Sequence, residues 1–291
     1  SDAISVLSVP STPSQTRLVE SLAPGALDLH IELPPNCPAA TSQQLCGFSA
    51  DDRVLLVDRS GAWDVYAVDQ ISNSAIHLLH RGPSSTTSYE AGATASQIRA
   101  VTYSLKSDVS TGTFQLMRHD GWATELPVVD EVVSLEFRYF GSALPPQLTG
   151  AALGAGRGPW TTYGPAPPPL TMSRGSWPAG ENCTFAVVDG VHVPRLASLP
   201  AGGTALVELT PAILTDGPWC PDALSVNRFD ADLLRVRRVS VSLRVQSALA
   251  SLRGPVGTLF MRGGTARAGD RFLPDLLARF DVTPRNMNLA R

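Results

Sequence analysis

The four cysteines are the residues whose type and spacing bear most directly on chemistry. Cys46 follows soon after Cys37, and Cys220 follows Cys183 at a greater distance. Neither spacing is the CxxC pair that holds zinc or performs thiol redox chemistry. Because all four lie in turn-like sequence rich in Pro, Gly, Asn or Asp, two disulfides are the favoured interpretation.

The pairing of these cysteines has three possible connectivities. We expect the local one, Cys37 with Cys46 and Cys183 with Cys220, because each partner is the nearest in sequence. The alternative is four reduced, buried thiols in a cytosolic protein. Disulfides would instead place the fold in the periplasm or outside the cell, since the cytosol keeps thiols reduced.

Paired carboxylates are the second candidate for chemistry, because they can bind Ca²⁺ or hydrolyse glycosides. Asp230 and Asp232 fall on the same side of an extended segment and are weak candidates for a shared metal ion, with Ca²⁺ the cation they suit. The alternative is a turn at the start of a strand, in which they pair with Arg228 or Arg235. The other acidic pairs are Asp51 with Asp52 and Asp130 with Glu131.

The sequence contains no arrangement typical of an enzyme active site. His77 and His80 are the only histidines close in sequence, and residues three apart on a strand point to opposite faces. Nucleophile-elbow, HExxH, phosphate-loop and dinucleotide-binding motifs are all missing. GAGRG at 154–158 lies in Pro- and Gly-rich sequence with no helix after it. We therefore predict a protein that is not an enzyme and that has no organic cofactor.

The composition favours a large, turn-rich globular protein. The chain has 291 residues, of which 43% are hydrophobic and 17% charged, with 24 Gly and 24 Pro. Its net charge is −3, and no basic stripe with interleaved aromatics suggests nucleic acid. No apolar run is long enough to span a membrane. We expect the chain, which starts at Ser1, to be a piece of a longer protein whose anchoring segment precedes it.

Alternating apolar residues predict a mainly β fold of antiparallel sheets with long Pro- and Gly-rich loops. Helix is expected only as single turns, near Gln15–Leu22 and just before Arg53. A last edge strand is expected in the tail after Arg279. The predicted strands are Ala3–Val9, Leu27–Leu33, Arg53–Asp58, Trp63–Ile71, Ala75–His80, Ile98–Lys106, Thr113–Asp120, Val132–Phe140, Thr184–Gly190, Thr204–Leu214 and Leu233–Ala248.

One Pro- and Gly-rich excursion interrupts this pattern at about 141–180. It contains the stretch PAPPP at Pro165–Pro169, which favours polyproline II. Its aromatic residues Trp160, Tyr163 and Trp177 could order it by packing. We expect 1–291 to form a single β-rich head domain that carries this excursion as an insertion.

Several strand-forming segments together resemble a known family. They are SDAISVLSV (1–9), CGFSADDRVLLVD (46–58), VTYSLKSD (101–108), FQLMRHDG (114–121), ELPVVDEVVSLEFRYFG (125–141), RVRRVSVSLRVQ (235–246) and FDVTPRNMNLAR (280–291). These segments resemble the periplasmic region of PilW-like minor pilins, and they are also similar to the J-type minor pseudopilins of type II secretion. The resemblance spans most of the chain.

The resemblance implies a non-enzymatic subunit of a bacterial filament, in the cell envelope. With the N-terminal helix that precedes the head in this family, the fold would be α+β and pilin-like. The precursor would sit in the inner membrane through that helix and would be cleaved by a prepilin peptidase. It would then join the other minor pilins and the major pilin, to initiate or cap a type IV pilus or a secretion pseudopilus.

A secreted β-sandwich carbohydrate-binding module, or a glycoside hydrolase-like domain, is the alternative. It would share the strand content, the turns and the disulfides. An adhesin-like tip protein combines the two interpretations, with 141–180 as a contact loop. The tryptophans that could stack on a sugar are Trp63, Trp122, Trp160, Trp177 and Trp219.

Overall fold

The computed structural model describes residues 3–35, 37–38, 40–41, 43–59, 61–72, 75–80, 87–109, 112–121, 124–149, 160–200 and 206–284. It confirms a mainly β fold with several antiparallel sheets. In the described part of the chain, helix occurs only as three short 3-10 segments, Ile213–Thr215, Ala231–Arg235 and Ala250–Leu252. No helix there has the length and apolar character needed to cross a membrane.

The described strands are numbered in chain order. They are β1 (Ala3–Ser8), β2 (Gln15–Arg17), β3 (Asp28–Leu29), β4 (Gln44–Leu45), β5 (Phe48–Ser49), β6 (Arg53–Val57), β7 (Trp63–Ile71), β8 (Ile76–Leu79), β9 (Thr94–Asp108), β10 (Thr113–His119), β11 (Glu125–Asp130), β12 (Val132–Ser142), β13 (Leu148–Thr149), β14 (Trp160–Thr161), β15 (Phe185–Val188), β16 (Val191–Pro194), β17 (Leu206–Leu209), β18 (Trp219–Cys220), β19 (Phe229–Asp230), β20 (Val236–Val245) and β21 (Leu276–Val282).

The chain forms two compact units, and each is assembled from segments distant in sequence. Unit I contains the chain up to Leu7 together with Ala100–Phe140 and Arg237–Pro284. Unit II is built mainly from Ser8–Arg99 and Gly141–Val236. The single head domain expected from the sequence stays a prediction.

The main sheet of unit II has the strand order β9–β6–β7–β8–β3, with β2 also paired to β9. In β6, Val54 and Leu56 are buried while their neighbours are only partly covered, so burial alternates along this strand although its sequence from Val54 to Val57 is apolar throughout. The apolar core of this unit consists of buried residues from its strands and loops. They are Leu18, Leu22, Leu29, Ile31, Leu45, Phe48, Val54, Leu56, Ala62, Tyr66, Val68, Ile76, Leu78, Tyr89, Ala93 and Ala95.

A second, smaller core in unit II lies where its loops meet. Cys183, Leu196, Cys220 and Ala231 are buried there. Their partly buried neighbours are Tyr163, Trp177, Phe229 and Leu234. This second core orders the described part of the Pro- and Gly-rich excursion.

Unit I contains longer strands. The second half of β9 pairs with β10, and β10 pairs with β11 across a bulge between Leu116 and Met117. Strand β12 neighbours β20, and β20 pairs with β21 from Val239 opposite Val282 to Val245 opposite Leu276. The buried apolar side chains of this unit include Phe114, Leu116, Met117, Val132, Val133, Leu135, Val239, Val241 and Phe260.

Two predicted elements near the N-terminus are wrong in extent or type. Gln15–Leu22 forms no helical turn, because Gln15–Arg17 pairs with β9 as β2, and Leu18 and Leu22 then make single bridges to Ile31 and Tyr89. The predicted strand Leu27–Leu33 is reduced to Asp28–Leu29. The alternation was still informative, since Leu29 and Ile31 are both buried.

The predicted strand Leu233–Ala248 begins later than its apolar pattern suggests. The carboxylate of Asp230 accepts a hydrogen bond from the Asp232 backbone N–H and caps the 3-10 helix Ala231–Arg235. Strand β20 therefore starts at Val236. Likewise, the excursion does not begin at Gly141, because β12 continues through it to Ser142.

Candidate functional site

The predicted acidic pair Asp230 and Asp232 lies in unit II beside a third carboxylate, that of Asp216. One oxygen from each of the three lies within 4.8 Å of the others. Asp230 and Asp232 are buried, whereas Asp216 is exposed. Sequence reasoning missed Asp216, because only the loop geometry brings this distant residue to the pair.

Protein groups already occupy the oxygens of the buried pair. One oxygen of Asp230 accepts the Asp232 N–H at 2.8 Å, and the other accepts the Gly217 N–H at 2.6 Å. Asp232 forms an ion pair with Arg235. Burial raises the pKa of Asp232, and the carboxylates of Asp230 and Asp216 add to this rise, while Arg235 opposes it. This is the alternative arrangement, in which the pair serves a turn; the Ca²⁺ site stays a prediction.

Arg235 has a structural role in the interior of unit II, where it is only 1% exposed. Its guanidinium donates to the carbonyl oxygens of Ala143 at 3.2 Å and Ala197 at 2.6 Å. A buried cation requires such partners, because an unpaired one would lose its hydration without compensation. Arg235 thereby ties two loops of unit II to the 3-10 helix that carries Asp232.

The other acidic pairs and the close histidines also have structural partners. Asp52 accepts the Ser49 N–H at 2.7 Å. Glu131 accepts the side-chain amide of Gln246 at 2.6 Å. His77 and His80 have separate partners, Asp28 at 2.7 Å and Asp64 at 2.9 Å. GAGRG at 154–158 lies outside the described residues.

The cysteines pair locally. Cys37 is bonded to Cys46 with Cα atoms 4.8 Å apart, and Cys183 is bonded to Cys220 with Cα atoms 5.1 Å apart. The structure describes both as disulfides, which matches the pairing that sequence proximity favours. The Cys183–Cys220 bridge lies in the second core of unit II.

The tryptophans lie in separate settings. Trp177 donates from its indole to the Pro221 carbonyl at 2.5 Å, and the guanidinium of Arg195 lies 4.3 Å from its ring centre. The guanidinium of Arg228 lies 5.5 Å from the ring centre of Trp219. Trp122 and the side chain of Trp160 lie outside the described residues. The five-residue sugar platform stays a prediction.

Trp63 stands apart, because it lines a groove of about 620 Å³ in unit II, which we call the Trp63 groove. The groove runs between the β6–β7 turn and the polyproline segment of the excursion. Its main lining residues are Arg59, Trp63, Pro165, Pro167, Arg174 and Phe229. Its volume falls within the 300–1,000 Å³ that is usual for small-molecule sites.

The polyproline wall of this groove is held from behind by buried polar side chains. The side-chain amide of Asn182 donates to the carbonyls of Pro165 and Ala166, at 3.2 and 3.0 Å. The Thr184 hydroxyl donates to Pro165 at 2.9 Å. Asn182 and Thr184 are buried. Asn182-Cys183-Thr184 formally matches the N-glycosylation pattern, but Asn182 and Thr184 serve packing here, and the wall is formed before any ligand arrives.

The opposite wall is the turn between β6 and β7. The Ala62 N–H donates to the Asp58 carboxylate at 3.2 Å, and the Asp58 N–H donates to the Ala62 carbonyl at 3.0 Å. Gly61 has a φ of +89°, and a side chain there would approach the ring of Pro165 to 3.2 Å. This glycine lets the turn lie directly against the polyproline wall.

Sequence reasoning named Trp63 and the PAPPP stretch but did not bring them together. The residues that complete the groove, Arg59, Arg174 and Phe229, carry no motif. One sequence signal is available. Odd- and even-numbered residues of β7 point to opposite faces, so Trp63 lies on the face opposite to the buried Tyr66.

Unit I presents a different kind of candidate surface, in strand β21. Leu276 is 67%, Phe280 49% and Val282 45% exposed, and all three project from the same face of the strand. Opposite them on β20 are Val239 and Val241, which are buried. The apolar face of the sheet thus continues onto its outermost described strand, where it is uncovered.

Comparison of the chain with protein families, with curated proteins and with solved structures finds no match.

Proposed function

We propose that the protein is a non-enzymatic subunit of a type IV pilus or a type II secretion pseudopilus. It helps to initiate or cap the filament through contacts with other minor pilins and the major pilin. Its head lies in the periplasm of an inner-membrane-anchored precursor and then in the filament. The observation that carries the proposal is the uncovered apolar face of β21.

A strand of this kind favours association for two reasons. When a partner covers exposed apolar side chains that continue a buried face, apolar surface leaves water and the free energy of the system falls. The backbone of an outermost strand also offers hydrogen-bonding groups to an added strand. Strand β11 has the same character in unit I, since Leu126 and Val128 are exposed on the outermost strand of its sheet. Two disulfides suit a head that works in an oxidising compartment.

The test is to replace Phe280 by Glu in the natural host and to count assembled filaments. A charge in the buried contact should reduce their number at least tenfold, because that charge must be desolvated on assembly. Leu277→Glu is the matched control: Leu277 is also 49% exposed but projects from the other face of β21. Normal assembly by Phe280→Glu, with a normal unfolding midpoint, would overturn the proposed contact.

Membership of a filament has its own test, in the part of the gene upstream of the codon for Ser1. A short basic leader, a Gly-Phe-Thr-Leu-x-Glu-like junction and about 20 apolar residues would support the filament proposal. An ordinary cleavable signal peptide or a different domain there would overturn it.

Saccharide binding is a second candidate function, and the Trp63 groove favours it. The groove places an aromatic side chain in a preformed cleft, as stacking on a sugar ring requires. Saccharide binding alone would make the protein a secreted carbohydrate-binding module. Saccharide binding together with the filament contact would make it an adhesin-like subunit. A glycan array probed with the intact protein tests it, and failure to bind any glycan would exclude it.

A further inference from the structure

The Trp63 groove combines an aromatic surface with an unequal set of charges. Trp63 and Phe229 supply the aromatic surface, and Arg59 and Arg174 bring two positive charges against the single carboxylate of Asp58. Arginine suits the recognition of carboxylates, because its planar group can donate two parallel hydrogen bonds. An occupant with one negative charge would balance the groove.

Trp63 is not among the buried residues that form the core of unit II. It is the first residue of β7, and the buried side chains of Asp64 and Tyr66 point to the other face of that strand. The backbone carbonyl of Trp63 accepts a hydrogen bond from the Asn227 side chain at 3.1 Å, which holds the start of β7 in place. The indole is thus fixed at its base and only half buried.

The Asp58 carboxylate is already used within the turn. It accepts the Ala62 N–H at 3.2 Å, which holds the carboxylate in the turn while it keeps its single negative charge. Arg174, by contrast, has a looser partner: one of its terminal nitrogens lies 3.8 Å from a carboxylate oxygen of Glu90, which is beyond hydrogen-bond distance. Glu90 is itself well exposed, so its charge is screened by water.

A neighbouring polar cavity has the opposite charge. This cavity of about 380 Å³ shares Asp58 and Arg174 with the groove and adds Glu90 and Asp222. Asp222 accepts the backbone N–H groups of Leu224 and Ser225, both at 2.9 Å. Arg174 therefore borders both the acidic cavity and the groove, and we expect an anionic ligand to prefer the groove side.

We propose that the Trp63 groove binds a pyranose that carries a carboxylate, such as a uronic acid residue of an acidic polysaccharide. The apolar face of the sugar ring lies on Trp63, and its carboxylate is paired with Arg174 and Arg59. The inference rests on the second candidate function, saccharide binding, and adds the chemical class of the sugar. It does not depend on the filament contact, whose residues belong to unit I.

The test uses trimers of galacturonate, glucuronate and mannuronate, together with the methyl ester of each. The ester keeps the ring and its hydroxyls and replaces each charged carboxylate by a neutral methyl ester. At least one acid trimer should bind in a calorimetric titration, and its ester should bind at least tenfold more weakly. Added salt should weaken binding of the acid and leave binding of the ester unchanged.

Three variants locate the site. Trp63→Ala should abolish binding of both the acid and the ester. Arg174→Gln should bind the ester as the wild type does and lose the tenfold preference for the acid. Arg228→Gln is the matched control, because Arg228 is an exposed arginine of the same unit outside the groove, and it should bind normally. Circular dichroism and the unfolding midpoint verify that each variant is folded.

The outcomes distinguish carboxylate pairing from saccharide binding as such. If an acid trimer and its ester bind equally, or if Arg174→Gln keeps the preference, the carboxylate pairing is overturned and saccharide binding stands. If neither the trimers nor any neutral glycan on an array binds, both are overturned. Binding that survives Trp63→Ala overturns the assignment to this groove.

Discussion

At the residue scale, Arg235 shows how a charged side chain becomes structural. It is buried with Asp232, and its remaining donors meet loop carbonyls that a neutral side chain of similar size would leave unsatisfied. Such a pair need not be more stabilising than an apolar contact of equal volume, yet breaking it is costly. This explains why a cationic residue at the start of a β-like run lies in the interior of unit II.

We predict that Arg235→Gln lowers the free energy of unfolding by about 3–5 kcal/mol. The substitution leaves the Asp232 carboxylate buried without its cation and removes donors from the Ala143 and Ala197 carbonyls. Arg17→Gln is the control, because Arg17 is exposed on β2, and it should change stability by less than about 0.5 kcal/mol. Urea unfolding measures both, and equal effects of the two substitutions would contradict this role.

At the element scale, unit II depends on a close approach between β12 and the segment that leads into β20. A side chain at Gly141 would place its first carbon 2.6 Å from the Arg235 carbonyl oxygen and 2.7 Å from Leu209. The nearest of these atoms belongs to the backbone and cannot rotate away. Glycine is therefore required in the strand by packing, since its φ is not in the left-handed region.

We predict that Gly141→Ala costs about 1–3 kcal/mol, as overpacking usually does. Gly257→Ala is the matched control, because nothing lies within 4 Å of the added carbon and its φ is also not positive. It should change stability by less than about 0.5 kcal/mol. Thermal unfolding of both variants tests the contrast. A Gly141→Ala variant as stable as the control would show that β12 can shift at no cost.

The elements also show how far the sequence predicts this fold. β-rich runs bounded by turn residues predict their strands almost to the residue: the runs Arg53–Asp58 and Trp63–Ile71 correspond to the strands Arg53–Val57 and Trp63–Ile71, because the turns mark where each strand must end. Leu27–Leu33 and Leu233–Ala248 were overestimated, since a single bridge or a capped 3-10 turn interrupts an apolar pattern without changing it. The local disulfide pairing followed from proximity along the chain.

The candidate site was less predictable than the strands. Trp63 and Pro165 are distant in sequence, and no local pattern encodes the loop packing that places them on the same groove. Arg174 had no motif to distinguish it from the other arginines. Asp216 likewise joins Asp230 and Asp232 only through the course of a loop. Sites built from loops therefore lie beyond what periodicity can predict.

At the scale of the whole molecule, both disulfides lie in unit II. Its loops are long and rich in Pro and Gly, and its second core is small, so crosslinks replace stability that a larger core would supply. Unit I has no cysteine and relies on long paired strands. We therefore expect oxidation to stabilise unit II and to leave the stability of unit I unchanged.

We predict that the two crosslinks contribute unequally. The Cys183–Cys220 loop spans 37 residues and the Cys37–Cys46 loop only 9. Loop-closure entropy then gives a loss of about 4 kcal/mol for the Cys183→Ala/Cys220→Ala variant and about 2.5 kcal/mol for Cys37→Ala/Cys46→Ala. The first loss should be larger still, because Cys183 and Cys220 are fully buried and their removal leaves a cavity.

Urea unfolding followed by tryptophan fluorescence measures these losses, since four of the five tryptophans belong to unit II. Each double variant is compared with the oxidised and the reduced wild type. Reduction of the wild type should be at least as destabilising as the worse of the two variants, a large share of a typical 5–15 kcal/mol. A reversed order of the two losses would contradict the loop-closure argument. A wild type whose stability does not change on reduction would mean that packing alone holds the loops of unit II, and a reducing compartment would then suit this protein equally well.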